Sequence, residues 1–209
     1  LGLLLAIHKP TQGSQKNLIM QKMTSFYESR LKSLNLQFFS LLGELWGYLA
    51  IFETTLRTFL NMTLSHIYQS AEWWSVENLL RNHERRLLSS RRKDHSNPID
   101  ELSLGFWVTL FSRKYHERIW RPIASKNPTL EVLGRRKFQR YLMIIQEFRN
   151  KLAHHNITLQ RNIARDIDYM QQITELIAPT IARGMKQRAQ TLKKILVAEA
   201  GFEPTTQRL

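Results

Sequence analysis

Cysteine is absent from this chain. Its absence excludes disulfides, thiolate nucleophiles and Cys-based zinc sites, and it agrees with a cytoplasmic protein. Acidic residues are few: 17 Asp and Glu stand against 31 Lys and Arg, for a formal net charge of +14 and a sequence pI near 10.4. Such an excess points to a polyanionic partner, nucleic acid first and an acidic membrane surface second, and says nothing about fold. Strand signals are scarce, with few Val or Thr alternations and no Asn-Gly hairpin dipeptide. No Gly-rich phosphate loop, G-x-S-x-G elbow, H-E-x-x-H or internal repeat is present, which argues against nucleotide-loop, serine-hydrolase and zincin chemistry. No apolar run approaches the roughly 18 residues of a membrane span. Leu1 to Ile7 is apolar but short and lacks a basic leader and a small-residue cleavage site, so it does not read as a signal peptide.

What is present is helical periodicity. The 209 residues, 43% hydrophobic, suffice for one domain with a sizeable core, or a domain plus tails. The expected organisation is a disordered or untranslated leader over 1–16, a single α-helical domain over 17–199 and an unstructured tail over 200–209. The chain begins with Leu, and Met20 and Met23 are candidate starts just before the first clear helix. The tail contains Gly201-Phe202-Glu203-Pro204, which one frame yields from the complement of a transfer-RNA T-arm gene, and the expectation is a frame that runs into such a gene.

Between these ends, Asn17 to Leu34 is weakly helical. Leu36 to about Ser70 has Phe38, Leu41, Leu42, Leu45, Leu49, Phe52, Leu56, Phe59 and Leu60 at steps of three and four. It reads as one central helix, or two broken near Gly43 or Gly47. A shorter segment starts at Trp73-Trp74 and ends in Arg85-Arg86-Leu87-Leu88, and Ser89 to Pro98, with Arg91-Arg92-Lys93, reads as a solvated linker. Asp100 or Ser103 is placed to cap a helix holding Phe106, Trp107, Leu110 and Phe111. Trp107 and Trp120 offer base-stacking surface, but their positions read as core. Pro122 and Pro128 bracket an expected loop. A helix from Gln160 to about Ala178 turns Ile163, Ile167, Met170 and Ile173 inward, Pro179 interrupts it, and 180–200 continue as a basic helix.

The chemistry concentrates in Phe148-Arg149-Asn150-Lys151-Leu152-Ala153-His154-His155-Asn156. These residues end a segment whose apolar positions Phe138, Tyr141, Leu142, Ile145, Phe148 and Leu152 fit one helix face. Arginine supplies a permanent, forked donor suited to phosphate, and histidine exchanges protons near neutral pH. Asn150 and His154 share a face, whereas Arg149 and His154 lie about 140° apart on an ideal helix. For both to act on one group, the helix must end near Ala153, or two copies must meet across a two-fold axis. Six Lys/Arg and one Glu between Arg135 and Lys151, Arg140 among them, suit phosphate neutralisation. Adjacent histidines point apart on a helix and no carboxylate cluster accompanies them, so no metal is expected. A plainer reading makes Arg149 a helix C-terminal cation, Asn150 a bond to a neighbouring loop and His154 a satisfied polar residue.

Arg149-Asn150-x-x-x-His154 resembles the Arg-to-His signature of the HEPN superfamily, and Phe148 to His155 resembles its Abi-like (abortive infection) branch. Ile51-Phe52-Glu53-Thr54-Thr55-Leu56-Arg57 is similar to the family's early FExxLR helix. Leu104-Gly105-Phe106-Trp107-Val108, followed by Ile119-Trp120-Arg121-Pro122, is similar to its mid-chain GFW…LWRP block. The three blocks stand in family order over roughly residues 40–175; Thr58 and Asn156-Ile157 depart from the pattern. The resemblance implies an all-α bundle of about five core helices and a homodimer with a composite site. It implies a metal-independent, cofactor-free endoribonuclease of phage defence or of a toxin–antitoxin pair. In that reading Arg149, Asn150 and His154 are catalytic, and His155, Lys151, Arg57, Glu53 and Arg140 bind substrate. RNA is the expected partner, with an antitoxin or phage trigger protein beside it and no membrane. Two alternatives stand: a non-catalytic RNA- or nucleotide-binding module, and a protein-interaction partner in a defence system.

Overall fold

The computed structural model describes residues 20–25, 36–90, 98–154 and 161–200. The chain falls into two compact units, Leu1–Leu41 and Leu42–Leu209. In the first unit, residues 20–25 are helical and exposed. The expectations for the leader, for Arg91-Arg92-Lys93, for His155 and for the tail fall outside the described residues.

The architecture is all-α, with no strand among the described residues. Leu36–Tyr68 forms α1, unbroken at Gly43 and Gly47. A short turn at Trp73–Ser75 leads to α2, Asn82–Ser90, and then to α3, Leu104–Thr109. A 3-10 turn (Arg113–Tyr115) and a π-helical turn (His116–Trp120) run into α4, Arg121–Lys126. There follow α5, Pro128–Leu133, and α6, Arg135–Ala153. The last two helices are α7, Ile163–Ile177, and α8, Pro179–Ala200. The long helices α1, α6, α7 and α8 supply most of the core, and the short ones fill between them.

Most positions of the stripes read from the sequence are buried; Leu42 and Phe59 of α1 are only partly so, and the burial of Phe38 lies outside what is described. Leu45, Leu49, Phe52, Leu56, Leu60 and Leu64 of α1 are fully buried, and so are Phe138, Leu142, Ile145 and Phe148 of α6. Each such side chain contributes roughly 1.5–3 kcal/mol on burial. That exceeds the few tenths that separate most helix propensities, so the apolar stripe fixes which face turns inward. Helix α7 buries Ile163, Ile167, Met170 and Ile173, and α8 is docked by Ala182, Met185, Ala189 and Leu192. Trp107 and Trp120 are core residues: Trp107 meets Phe106 edge-on, and Trp120 meets Phe111 and Phe138.

The expected loop between Pro122 and Pro128 is replaced by two short helices. Pro122 sits in the first turn of α4 and Pro128 opens α5. A helix's first N–H groups have no intrahelical acceptor, so proline costs nothing there. Asn127 makes the junction: its side chain accepts from the Leu130 N–H and donates to the Leu176 carbonyl at 3.0 Å, tying α5 to the end of α7. Gly134, at φ 77°, supplies the left-handed turn that starts α6. Ser103, not Asp100, holds the capping position of α3, without a side-chain cap bond. No helix among the described residues is long and apolar enough to cross a membrane.

Candidate functional site

Helix α6 ends at Ala153, and His154 is its C-terminal cap at φ −96°, ψ 11°, its N–H bonded to the Asn150 carbonyl. The helix thus ends near Ala153, yet Arg149 turns toward α1 while His154 is exposed at the terminus, so the helix end by itself does not bring the two together. Asn150 and His154 are both exposed at this end. Lys151 is exposed and pairs with Glu147 at 3.0 Å. Arg140 is exposed about three turns earlier and lines a cavity of about 530 Å³ with Arg136 and Met143.

Arg149 points the other way, toward α1. Its Nε lies 3.6 Å from Glu53 Oε1, with the two side chains 35% and 28% exposed. That distance permits Coulomb attraction but exceeds a hydrogen bond. Both atoms are themselves buried and have no hydrogen-bond partner. Burial raises the Glu53 pKa above the ordinary carboxylate value, and the nearby Arg149 and Arg57 charges offset this only in part. Arg57, four residues on from Glu53 and at ion-pair spacing, attracts it more weakly than Arg149 does. Arg57 Nη1 instead donates to the Asp100 carbonyl at 2.6 Å, which fixes the segment before α3 against α1.

Helix α3 reaches α6 through Gly105. A Cβ on Gly105 would lie 2.8 Å from Gln146 Nε2, the movable end of a side chain one turn before Arg149, so the contact marks where α3 meets α6. Glu53, Arg57, Gly105 and Arg149, drawn from the three motif-bearing segments, thereby occupy one neighbourhood. No contact joins Arg149 to His154 among the described residues.

The sequence reading missed what holds the end of α6 in place. Arg161 Nε donates to Asp166 Oδ2 at 2.6 Å, Nη1 to Glu147 Oε1 at 3.0 Å and Nη2 to the Ile144 carbonyl at 3.1 Å. Arg161 also lies 5.8 Å from the centre of the Phe148 ring. Asp166 is fully buried and accepts a further bond from Arg165. One arginine thus fastens the start of α7 to the last turns of α6. A signal was present: Asp166 interrupts the inward stripe of Ile163, Ile167 and Met170, and a carboxylate at an apolar-face position needs a cation.

Among the described residues no group of three or more His, Asp or Glu is arranged to hold a metal ion. Comparison of the chain with protein-family models, with curated proteins and with solved structures finds no match.

Proposed function

We propose that the chain is a metal-independent endoribonuclease of the HEPN type, of the Abi-like branch, acting in phage defence or as a toxin. The observation that supports this most is the arrangement at the end of α6. A half-buried arginine with unsatisfied donor capacity faces α1, and an exposed Asn and His stand at the helix terminus. The strongly basic composition suits an RNA substrate.

In the proposed reaction the substrate's 2′-oxygen attacks the adjacent phosphorus and its proton passes to a base. The P–O5′ bond breaks, and the departing 5′-oxygen takes up a proton. The products are a 2′,3′-cyclic phosphate and a 5′-hydroxyl, with no metal required. His154 moves the proton as base or acid. Arg149 holds the phosphate and stabilises the charge that develops on it. Asn150 orients His154 or the phosphate, and Glu53 sets the position of Arg149. A two-fold dimer with paired α6 ends would bring Arg149 and His154 into one cleft, which a single helix leaves about 140° apart.

That same divergence favours a second reading, an RNA- or nucleotide-binding module in which α6 supplies grip without proton transfer. The test is cleavage of mixed cellular RNA with EDTA present, by wild type, His154→Ala and Arg149→Ala. The expected result is cutting by wild type with cyclic-phosphate ends. Loss of Arg149 should lower the rate by about 100- to 1000-fold, and loss of His154 by about 100- to 10,000-fold. RNA binding without cutting by any of the three would establish the binding module instead. Equal cutting by all three would place the activity elsewhere.

A further inference from the structure

At the opposite end of α6 lies a second charged feature that the motif does not touch. A cavity of about 730 Å³ opens between the first turn of α6 and the irregular 3-10 and π-helical turns before α4. Its walls carry Arg113, His116, Arg135, Arg136 and Lys137, and Trp120 lies beneath. The volume falls within the range of ligand pockets, roughly 300–1,000 Å³.

The charges in this cavity are not balanced from within. Glu117 is its one acidic lining residue, and it is engaged by Arg121 at 3.0 Å, with His116 Nε2 at 3.7 Å. Arg135 is committed to structure, donating to the Phe111 carbonyl and to Gln139 at 2.8 Å each. Arg113 and Arg136 are exposed and have no carboxylate partner among the described residues. His116 Nδ1 is buried without a hydrogen-bond partner. Gly134, preceding the helix, has no side chain to cap the first amides of α6. Three cations around one concavity, with His116 beside them, match an anion that spreads its charge over several oxygens.

The pocket is in line with the proposed scissile site. Arg136 and His154 are 18 residues apart, which is five helical turns, so they share a face about 27 Å apart. Arg140 and Asn150 fall on that face between them, and the 530 Å³ cavity containing Arg140 shares Arg136 with this pocket. Glu147, the acid on the path, is neutralised by Lys151 and Arg161 at 3.0 Å each. At roughly 3.4 Å per phosphate of a stacked strand, 27 Å corresponds to about eight nucleotides.

We propose that this pocket is a phosphodiester-binding subsite, in which Arg113, His116, Arg136 and Lys137 hold the RNA backbone about eight nucleotides from the bond cut at the other end of α6. The inference rests on the ribonuclease reading and adds to it a minimum substrate length and a direction of approach along the outer face of α6.

The test is fluorescence anisotropy of the full chain with 2′-O-methyl RNAs, which cannot be cut, of about twelve and about five nucleotides. Wild type is compared with the Arg113→Gln, Arg136→Gln double variant, whose fold is checked by circular dichroism and melting. The wild type should bind the longer RNA at least about tenfold tighter. The variant should lose that preference, and the slope of log affinity against log salt should fall by roughly 0.7 for each cation removed. Retention of both the length preference and the salt slope in a folded variant would overturn the subsite while leaving the ribonuclease reading intact. Failure of the wild type to bind either RNA would overturn both together.

Discussion

Two arginine–carboxylate pairs flank the second half of α6, and they are built differently. Arg161 and Asp166 meet at 2.6 Å, with side chains 8% and 0% exposed, and Arg161 has two further acceptors in Glu147 and the Ile144 carbonyl. Arg149 and Glu53 meet at 3.6 Å in a half-buried setting, and neither facing atom completes a hydrogen bond. The first pair satisfies its desolvation cost locally and acts as a fastener. The second leaves a buried carboxylate that resists ionising and an arginine with donors to spare. A group held this way is suited to accept an anionic ligand, because the ligand supplies what the fold withholds.

The contrast breaks most visibly at Asp166. Replacing it by Ala leaves Arg161 buried without its closest counter-charge, and such losses cost roughly 3–5 kcal/mol. Urea unfolding of Asp166→Ala should show a loss of this size, and with it a loosened junction between α6 and α7. A loss below about 1 kcal/mol would mean that Glu147 and Arg165 compensate, and the fastener would be no different in kind from a surface pair.

Burial raises the Glu53 pKa, which fixes the sign of its effect on stability. An acid whose folded pKa lies above its unfolded value costs nothing at low pH, where both states are protonated. As pH rises past the ordinary carboxylate value, the unfolded chain ionises first and the folded state loses relative stability, until Glu53 ionises in the fold as well. Glu53→Gln removes that penalty. Its melting temperature should therefore gain on the wild type as pH climbs through and above the carboxylate range, with the smallest difference below it. A gain that shrinks with rising pH would show instead that attraction to Arg149 and Arg57 outweighs burial.

This pair also marks the limit of what the sequence made legible. Leu45, Leu49, Phe52, Leu56 and Leu60 of α1 and the stripe Phe138–Leu152 follow from helical periodicity and are buried in the fold. The common face of Asn150 and His154 follows from the same arithmetic, since local geometry is set by neighbours in the chain. The partners of Glu53 and Arg57 are not local. Glu53 and Arg57 sit at the spacing of an ion pair, but the segment before α3 brings Arg57 the Asp100 carbonyl and α6 brings Glu53 Arg149, so tertiary packing decides between partners. The same holds for Pro122 and Pro128, which read as breakers until the helices they begin are placed. The Arg113–Lys137 pocket was unreadable for a related reason: it needs an irregular segment and a helix start to converge, and neither has a periodic signature.

The smallest expected effect belongs to a pair with better geometry than Arg149–Glu53. Lys151 and Glu147 meet at 3.0 Å, but their side chains are 45% and 56% exposed. Hydrogen bonding from Lys151 and the charge of Arg161 lower the Glu147 pKa. Water screens this attraction, and Arg161 remains beside Glu147 when Lys151 is removed, so Lys151→Ala should destabilise the fold by only about 0.3–0.5 kcal/mol. Thermal unfolding at low and high salt measures it: the small loss should shrink further as salt rises, since exposed charges are screened over a Debye length of about 8 Å at physiological ionic strength. A larger, salt-insensitive loss would show that Lys151 packs its methylene stem into the end of α6. Distance alone therefore ranks the three pairs wrongly. Burial and the completeness of each group's hydrogen bonding separate a fastener, a ligand-ready arginine and a surface contact.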